Sequence, residues 1–218
     1  MRFIRKNSEP ESLTQYKKQV GAYYDGYYKK DDVREALLKE QGYLCGYCMK
    51  RLESCNQVKI EHIVPQSRLV EDEKAALDYH IMIGVCYGNE GHPKSELTCD
   101  AHRGNEDLTV SPFSEASISL IKYRSDGTIY SDNPDINKDL NSTLNLNYNG
   151  FGVYLKENRK EVLLACKNKL KTMKSQGCWS RRVLQRMLEE YEQPDAEGKL
   201  KPYSGIVVEY LKARIKRA

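Results

Sequence analysis

No stretch of this sequence stays apolar long enough to cross a membrane; the longest candidate, "IMIGVC" at 81–86, is the size of a strand. The opening "MRFIRKNSEPES" turns polar after its fourth residue, so no secretory leader is expected. Internal repeats and low-complexity tracts are also missing. The seven cysteines are an odd number, a poor start for a closed set of disulfides. The expected compartment is therefore the reducing cytosol, where a Cys-x-x-Cys pair reads more often as a metal or redox element than as a structural bridge. Disulfide staples are not needed either, because 218 residues can bury a real core as one good-sized domain or a small module with an elaboration. A formal net charge of +4 is too small to name a partner.

What charge there is lies unevenly. From Arg159 to Arg186 there are nine basic residues (Arg159, Lys160, Lys167, Lys169, Lys171, Lys174, Arg181, Arg182, Arg186) against one acid, Glu161, and the tail "LKARIKRA" adds four more. Such a cluster suits a phosphate backbone; a solvated helix face is the other reading.

Patterning organises the rest. "KDDVREALLKEQG" opens with Asp32 and has Glu35 three residues on, a capping-box start for a short helix that Gln41-Gly42 stops. "KRLESCNQVKI" reads as a hairpin or strand pair, and "VKIEHIV" is β-rich up to Pro65, so His62 lies in or beside a strand. "EDEKAALDYH" reads as a charged loop or short helix, and "IMIGVC" as a second apolar strand ending at Cys86. Turn residues fill 87–98, a helical turn opens at Cys99, and "SISLIKYRSDGTIYS" carries a hairpin signal at Ser-Asp-Gly. The last third shows three helical stripes, with Cys166 on the first; Cys166 and Cys178 are assigned to packing.

Cys45-x-x-Cys48 has the spacing of a zinc knuckle, in which two thiolates of one tight turn reach a tetrahedral ion at about 2.3 Å. Two more ligands are required. Cys86 and Cys99 are favoured because each sits at the edge of an ordered element; Cys55, His92 and His102 compete. Four thiolates close the coordination shell, so such a zinc holds the fold and any chemistry comes from elsewhere.

Glu61-His62 lies between the two cysteine pairs, so folding around the ion would carry it toward Asp100, next to Cys99. Two carboxylates suit a hard cation such as Mg²⁺ or Mn²⁺ that keeps waters and phosphate oxygens as its other ligands. A neutral His62 could take a proton from an attacking water, or it could be a surface or satisfied core histidine.

"CGYC", "IEHIVPQS", an apolar segment into "GVC" and "CDAHRGN" together resemble the HNH (ββα-metal) endonucleases of the four-cysteine zinc type. "LLKEQGYLCGYC", "GNEDLTVSPF", "IKYRSDGTIYSDN" and "LNLN" before a basic helix extend the resemblance to the PtuB-like HNH component of Septu and retron-associated antiphage systems. The resemblance implies an α+β fold: a ββα-metal core with structural zinc on Cys45, Cys48, Cys86 and Cys99, elaborated by N- and C-terminal helices and a small β-hairpin. On this plan residues 1–30 are an N-terminal interaction segment and 31–113 the HNH core. Residues 114–218 are a hairpin plus basic helices packed on the core.

It also implies His62 as general base, with Glu61 and Asp100 holding the catalytic Mg or Mn. Ile81 stands where the family usually has an Asn. His80, one residue earlier, either takes over its orienting role through a bulge or is merely a polar strand residue. The implied reaction is phosphodiester hydrolysis to 3′-hydroxyl and 5′-phosphate ends. DNA is the favoured substrate, RNA such as tRNA the alternative enzyme reading, and a decayed zinc-stabilised binding or assembly subunit the non-enzyme one.

Arg103 either grips a phosphate beside the metal or is an exposed helix-end cation. Lys167, Lys171, Lys174, Arg181 and Arg182 are the backbone-binding candidates. The implied partner is an ATPase subunit, for which the tyrosines of "AYYDGYYKK" offer an interface unless they are core residues.

Overall fold

A computed structural model describes residues 1–69, 74–173 and 179–218. Lys174 and Cys178 lie outside the described residues. Helix α1 (Glu11–Lys17) follows Pro10, and α2 (Lys30–Glu40) buries Val33, Leu37 and Leu38 along one face. The expected Asp32 cap is not used: α2 begins earlier, at Lys29, and Asp31 and Asp32 fall in its first turn, where their charge favours the helix dipole.

Strand β1 (Lys59–His62) pairs antiparallel with β2 (Met82–Val85), in a register that sets Lys59 opposite Val85 and His62 opposite Met82. The hairpin expected within 50–60 does not form. Arg51 instead bridges back to Leu44, and Cys55–Gln57 is a single 3-10 turn. The knuckle between them closes on itself, so the strand at 59–62 takes its partner from the apolar segment at 82–85. The short helix α3 (Cys99–Arg103) completes this unit.

Beyond it, α4 (Glu115–Ser119) leads into the hairpin of β3 (Ile121–Tyr123) and β4 (Ile129–Ser131), turning at the expected Asp126-Gly127. Helix α5 (Pro134–Lys138) is capped by the Asn133 side chain and runs on into a π-helical turn at Asp139–Thr143. A two-residue ladder of β5 (Asn149–Gly150) and β6 (Val153–Tyr154) precedes α6 (Leu155–Thr172), α7 (Arg181–Glu192) and α8 (Gly205–Ile215). Of the three stripes read from the sequence, Cys166, Leu170, Met187, Tyr191, Ile206 and Leu211 are buried against one another, together with Leu163 and Leu184, whereas Met173 is exposed.

Packing crosses both boundaries drawn from the sequence. Met1 and Ile4 share one core with the cysteines of the knuckle, with Ile121 and Leu146, and with Leu155 and Tyr203. Leu13, Ala22 and Tyr27 share another with Val33, Leu37, Tyr79 and Met82. Residues 1–30 are thus built into the fold, and 30/31 and 113/114 do not divide separate cores. Arg159, counted above in the basic face, is buried: its guanidinium donates to the carbonyls of Gly127 (2.6 Å) and Leu146 (2.8 Å) and to Asn147 Oδ1 (2.9 Å). Among the described residues no helix is long and apolar enough to cross a membrane.

One glycine controls how the segment between Cys86 and Cys99 closes. Gly88 sits at φ 58°, its carbonyl accepts from Thr98 N at 2.8 Å, and a Cβ there would press into the Thr98 carbonyl oxygen. Gly88→Ala should therefore cost about 1–3 kcal/mol through backbone strain, read as a lower urea midpoint. A midpoint equal to that of the wild type would contradict the tight neck.

Candidate functional site

Cysteine favours no local structure strongly, so the knuckle is shaped by its backbone. Cys45 N donates to Lys50 O at 2.9 Å and Met49 N to Cys45 O at 3.0 Å, with Met49 in the left-handed region at φ 65°. Gly46 N donates to Gly84 O at 3.0 Å, which fastens the turn to β2. Cys86 follows β2 directly and Cys99 opens α3, so the segment 87–98 loops out and returns its end to the knuckle.

The four sulfurs Cys45, Cys48, Cys86 and Cys99 all lie within 4.8 Å of one another and are buried. The separations are 3.9 Å for Cys45–Cys99, 3.8 Å for Cys48–Cys86 and 3.7 Å for Cys86–Cys99. Four thiolates at about 2.3 Å from one tetrahedral ion stand about 3.8 Å apart, so the donor set fits structural zinc. Two backbone N–H groups, from Lys50 to Cys48 Sγ (3.4 Å) and from Cys86 to Cys45 Sγ (3.3 Å), favour the charged sulfurs. Burial opposes ionisation of Cys45, but hydrogen bonds from Cys48, Cys86 and Cys99 together outweigh it and hold that thiol well below the usual range.

The competing ligands are elsewhere. His102 Nδ1 donates to Thr143 O at 2.9 Å, His92 pairs with Glu96 at 3.2 Å, and Cys55 Sγ lies 3.9 Å from the Asp31 carbonyl.

Beside the cluster is an open cleft of about 410 Å³, lined by Lys59, Glu61, His62, Glu90, Asp100 and Arg103 among others. Period-two alternation puts Lys59 and Glu61 on one face of β1, and α3 brings Asp100 up to them. Lys59 Nζ lies 2.9 Å from Asp100 and also pairs with Glu90; those two carboxylates hold it charged in spite of partial burial. Glu61 receives the Tyr47 hydroxyl at 3.1 Å and an ion pair from Arg103. Burial first, then the neighbouring Asp100, pushes the Glu61 carboxyl up to about 7, against the pull of Arg103. The charge of Asp100 disfavours ionisation of Glu61, and a cation held between the two would relieve that repulsion.

His62 leaves the opposite face of β1. Its ring stacks edge-on against Tyr24 at 4.7 Å, and Nε2 lies 2.9 Å from the Ala76 carbonyl oxygen. A carbonyl only accepts, so Nε2 carries the hydrogen and the basic lone pair of the neutral ring is on Nδ1. Burial lowers the His62 pKa, which keeps the ring neutral near pH 7.

Two sequence expectations need correction. Arg103 is only 1% exposed, and its guanidinium is spent on Glu61, Tyr47 OH and the carbonyls of His62, Ile63 and Glu106. It is a buried clamp and not a phosphate grip, because a charge out of water must be fully hydrogen-bonded. His80 is no strand residue: it sits exposed in a 3-10 turn capped by Asp78, its ring beside Tyr79, and does not line the cleft. Lys167, set over the Tyr210 ring at 5.3 Å, and the exposed Lys171, Arg181 and Arg182 lie on α6 and α7, outside the cleft lining.

Sequence reasoning missed Lys59 and Tyr47. Lys59 could have been found from its i, i+2 relation to Glu61, whereas the contact from Tyr47 depends on how the knuckle docks.

Two measurements follow from this geometry. Metal analysis should find one zinc per chain, and Cys86→Ser should lower both zinc content and thermal midpoint; a wild-type midpoint without zinc would contradict a structural ion. The raised Glu61 carboxyl contributes stability to the metal-free protein that is fully present below about pH 4.5 and lost as pH rises through about 7. Asp100→Asn should flatten that fall in urea titrations run from pH 5 to 8, and an unchanged slope would show that Asp100 does not press on Glu61. Comparison with protein-family models and with curated proteins finds no match to this chain.

Proposed function

We propose that this chain is a metal-dependent endonuclease of the HNH (ββα-metal) plan that hydrolyses nucleic-acid phosphodiester bonds, DNA in the first place. The observation that carries the reading is the meeting of Glu61 and Asp100 in an open cleft, with His62 the next residue along β1. The two carboxylates would hold Mg²⁺ or Mn²⁺, which when bound neutralises a scissile phosphate and the leaving oxygen.

The chain's own groups account for the remaining steps. In this reading His62 takes the proton of a water whose oxygen attacks phosphorus. The bond from phosphorus to the 3′ oxygen breaks, and that oxygen takes a proton from solvent, leaving 3′-hydroxyl and 5′-phosphate ends. Arg103 holds Glu61 in place, and Lys59 adds positive charge where a phosphate would enter.

The resemblance adds an ATPase partner and a role in antiphage defence. Tyr23 and Tyr28, exposed on the N-terminal segment, support a partner surface, whereas Tyr27 is buried and Tyr24 lies against His62. A second reading, a zinc-stabilised binding or assembly subunit without activity, is favoured by Ile81 in the place of the usual Asn and by His80 standing away from the cleft. An HNH-type site has no built-in discrimination against a 2′-hydroxyl, so tRNA belongs in the test.

Wild type and His62→Ala should be incubated with plasmid DNA and with total tRNA, with Mg²⁺ or Mn²⁺ present or chelated, alone and with the partner. Metal-dependent cleavage that falls about 10²- to 10⁴-fold in His62→Ala is expected. No cleavage of either nucleic acid even with the partner, or a variant as active as wild type, would overturn the reading.

A further inference from the structure

The segment between Cys86 and Cys99 has twelve residues, far more than closing a four-thiolate site requires. It forms one surface with the β5–β6 hairpin: Asn89 Nδ2 donates to the Phe151 carbonyl at 3.5 Å, Asn145 Nδ2 to Leu97 O at 2.9 Å, and the His92 and Phe151 rings lie 6.1 Å apart. Tyr87 and Asn89 share a cavity of about 230 Å³ with Gly152 and Val153. Three aromatic side chains stand in water on this surface, Phe151 74%, Tyr154 51% and Tyr87 44% exposed. Leaving them there forgoes the burial that an aromatic ring ordinarily gains, and neighbouring exposed rings mark a contact surface.

Charge and continuity identify what they contact. Exposed Lys50 lines the same cavity as Tyr87, and Glu90, three residues past Tyr87, lines the cleft and pairs with Lys59, which pairs with Asp100. The surface therefore runs directly into the cleft. Every base has a π face, and aromatic platforms beside cations hold unpaired bases without reading their sequence.

We propose that Phe151, Tyr154 and Tyr87 form a stacking shelf for the unpaired bases of a nucleic-acid strand whose backbone enters the Glu61–Asp100 cleft. The shelf deepens the nuclease reading and rests on it: it specifies single-stranded or locally unpaired substrate. DNA and RNA present the same π faces, so both are tested.

The experiment uses the full zinc-loaded chain with no chelator and no added Mg²⁺ or Mn²⁺, so that binding is read without cleavage and the structural ion stays in place. Fluorescein-labelled 20-mers of single-stranded DNA, single-stranded RNA and duplex DNA are titrated with wild type and with the double variant Phe151→Ala, Tyr154→Ala, both proteins checked by circular dichroism melting. Wild type should bind at least one single strand about tenfold or more tighter than duplex, and the double variant should lose about tenfold or more on that strand while duplex binding stays within about twofold. A 2-aminopurine in the bound strand should be quenched by wild type and not by the variant. Equal binding by both proteins, equal loss on duplex, or loss of ATPase-partner binding alone would overturn the shelf. Cleavage assays keep the two readings apart. A variant that still cuts at the wild-type rate on saturating substrate with raised KM supports both. Stacking-dependent binding with no cleavage under any condition sinks the nuclease reading and leaves the shelf standing, and cleavage indifferent to the variant does the reverse.

Discussion

Four sulfur atoms from three separate parts of the chain meet at one point, and the rest of the arrangement is hung from that convergence. Cys45 and Cys99 are 54 positions apart in sequence and 3.9 Å apart in space. Hydrophobic burial alone does not specify such a contact, because thiols are small and hydrogen-bond weakly. A shared ion does, since each thiolate gains a short bond only when all four are in place, and in small metal sites that binding energy is folding energy.

The consequence shows most clearly in α3. Five residues are too few to make a stable helix by themselves, because nucleation costs more than one turn returns. Its first residue, Cys99, belongs to the thiol cluster, and its last, Arg103, is a buried clamp on Glu61 and on the carbonyls of His62 and Ile63. The helix is therefore held at both ends by groups reaching the knuckle and the end of β1. Asp100 lies between these anchors, so its approach to Glu61 is set by the scaffold and not by mutual attraction; the two acids in fact repel. Lys59 on Asp100 and Arg103 on Glu61 offset part of that repulsion.

Parts of this were legible in the sequence. The Cys-x-x-Cys spacing, the ordered elements flanking Cys86 and Cys99, the Ser-Asp-Gly turn and the three C-terminal stripes are local signals, and local signals survive translation into structure. The convergence of Glu61 with Asp100 was legible for the same reason, each residue being tied in sequence to a ligand or a strand. Most of what failed depended on contacts distant in sequence. Arg103 and Arg159 look like surface cations until the carbonyls that surround them are known. One failure is local: "IMIGVC" reads as a strand from Ile81 with His80 beside it, whereas Asp78 caps a 3-10 turn over Tyr79–Ile81 and delays the strand to Met82. The hairpin expected at 50–60 failed because β-propensity marks a strand without naming its partner.

The central claim is that an ion bound by four thiolates organises the knuckle, β2 and α3. X-ray absorption at the zinc edge on the purified chain tests it most directly. The account predicts a single shell of four sulfurs at about 2.3 Å with no light-atom ligand. A shell containing nitrogen or oxygen, as His92 or His102 would supply, or a protein that folds fully with no zinc at all, would contradict it.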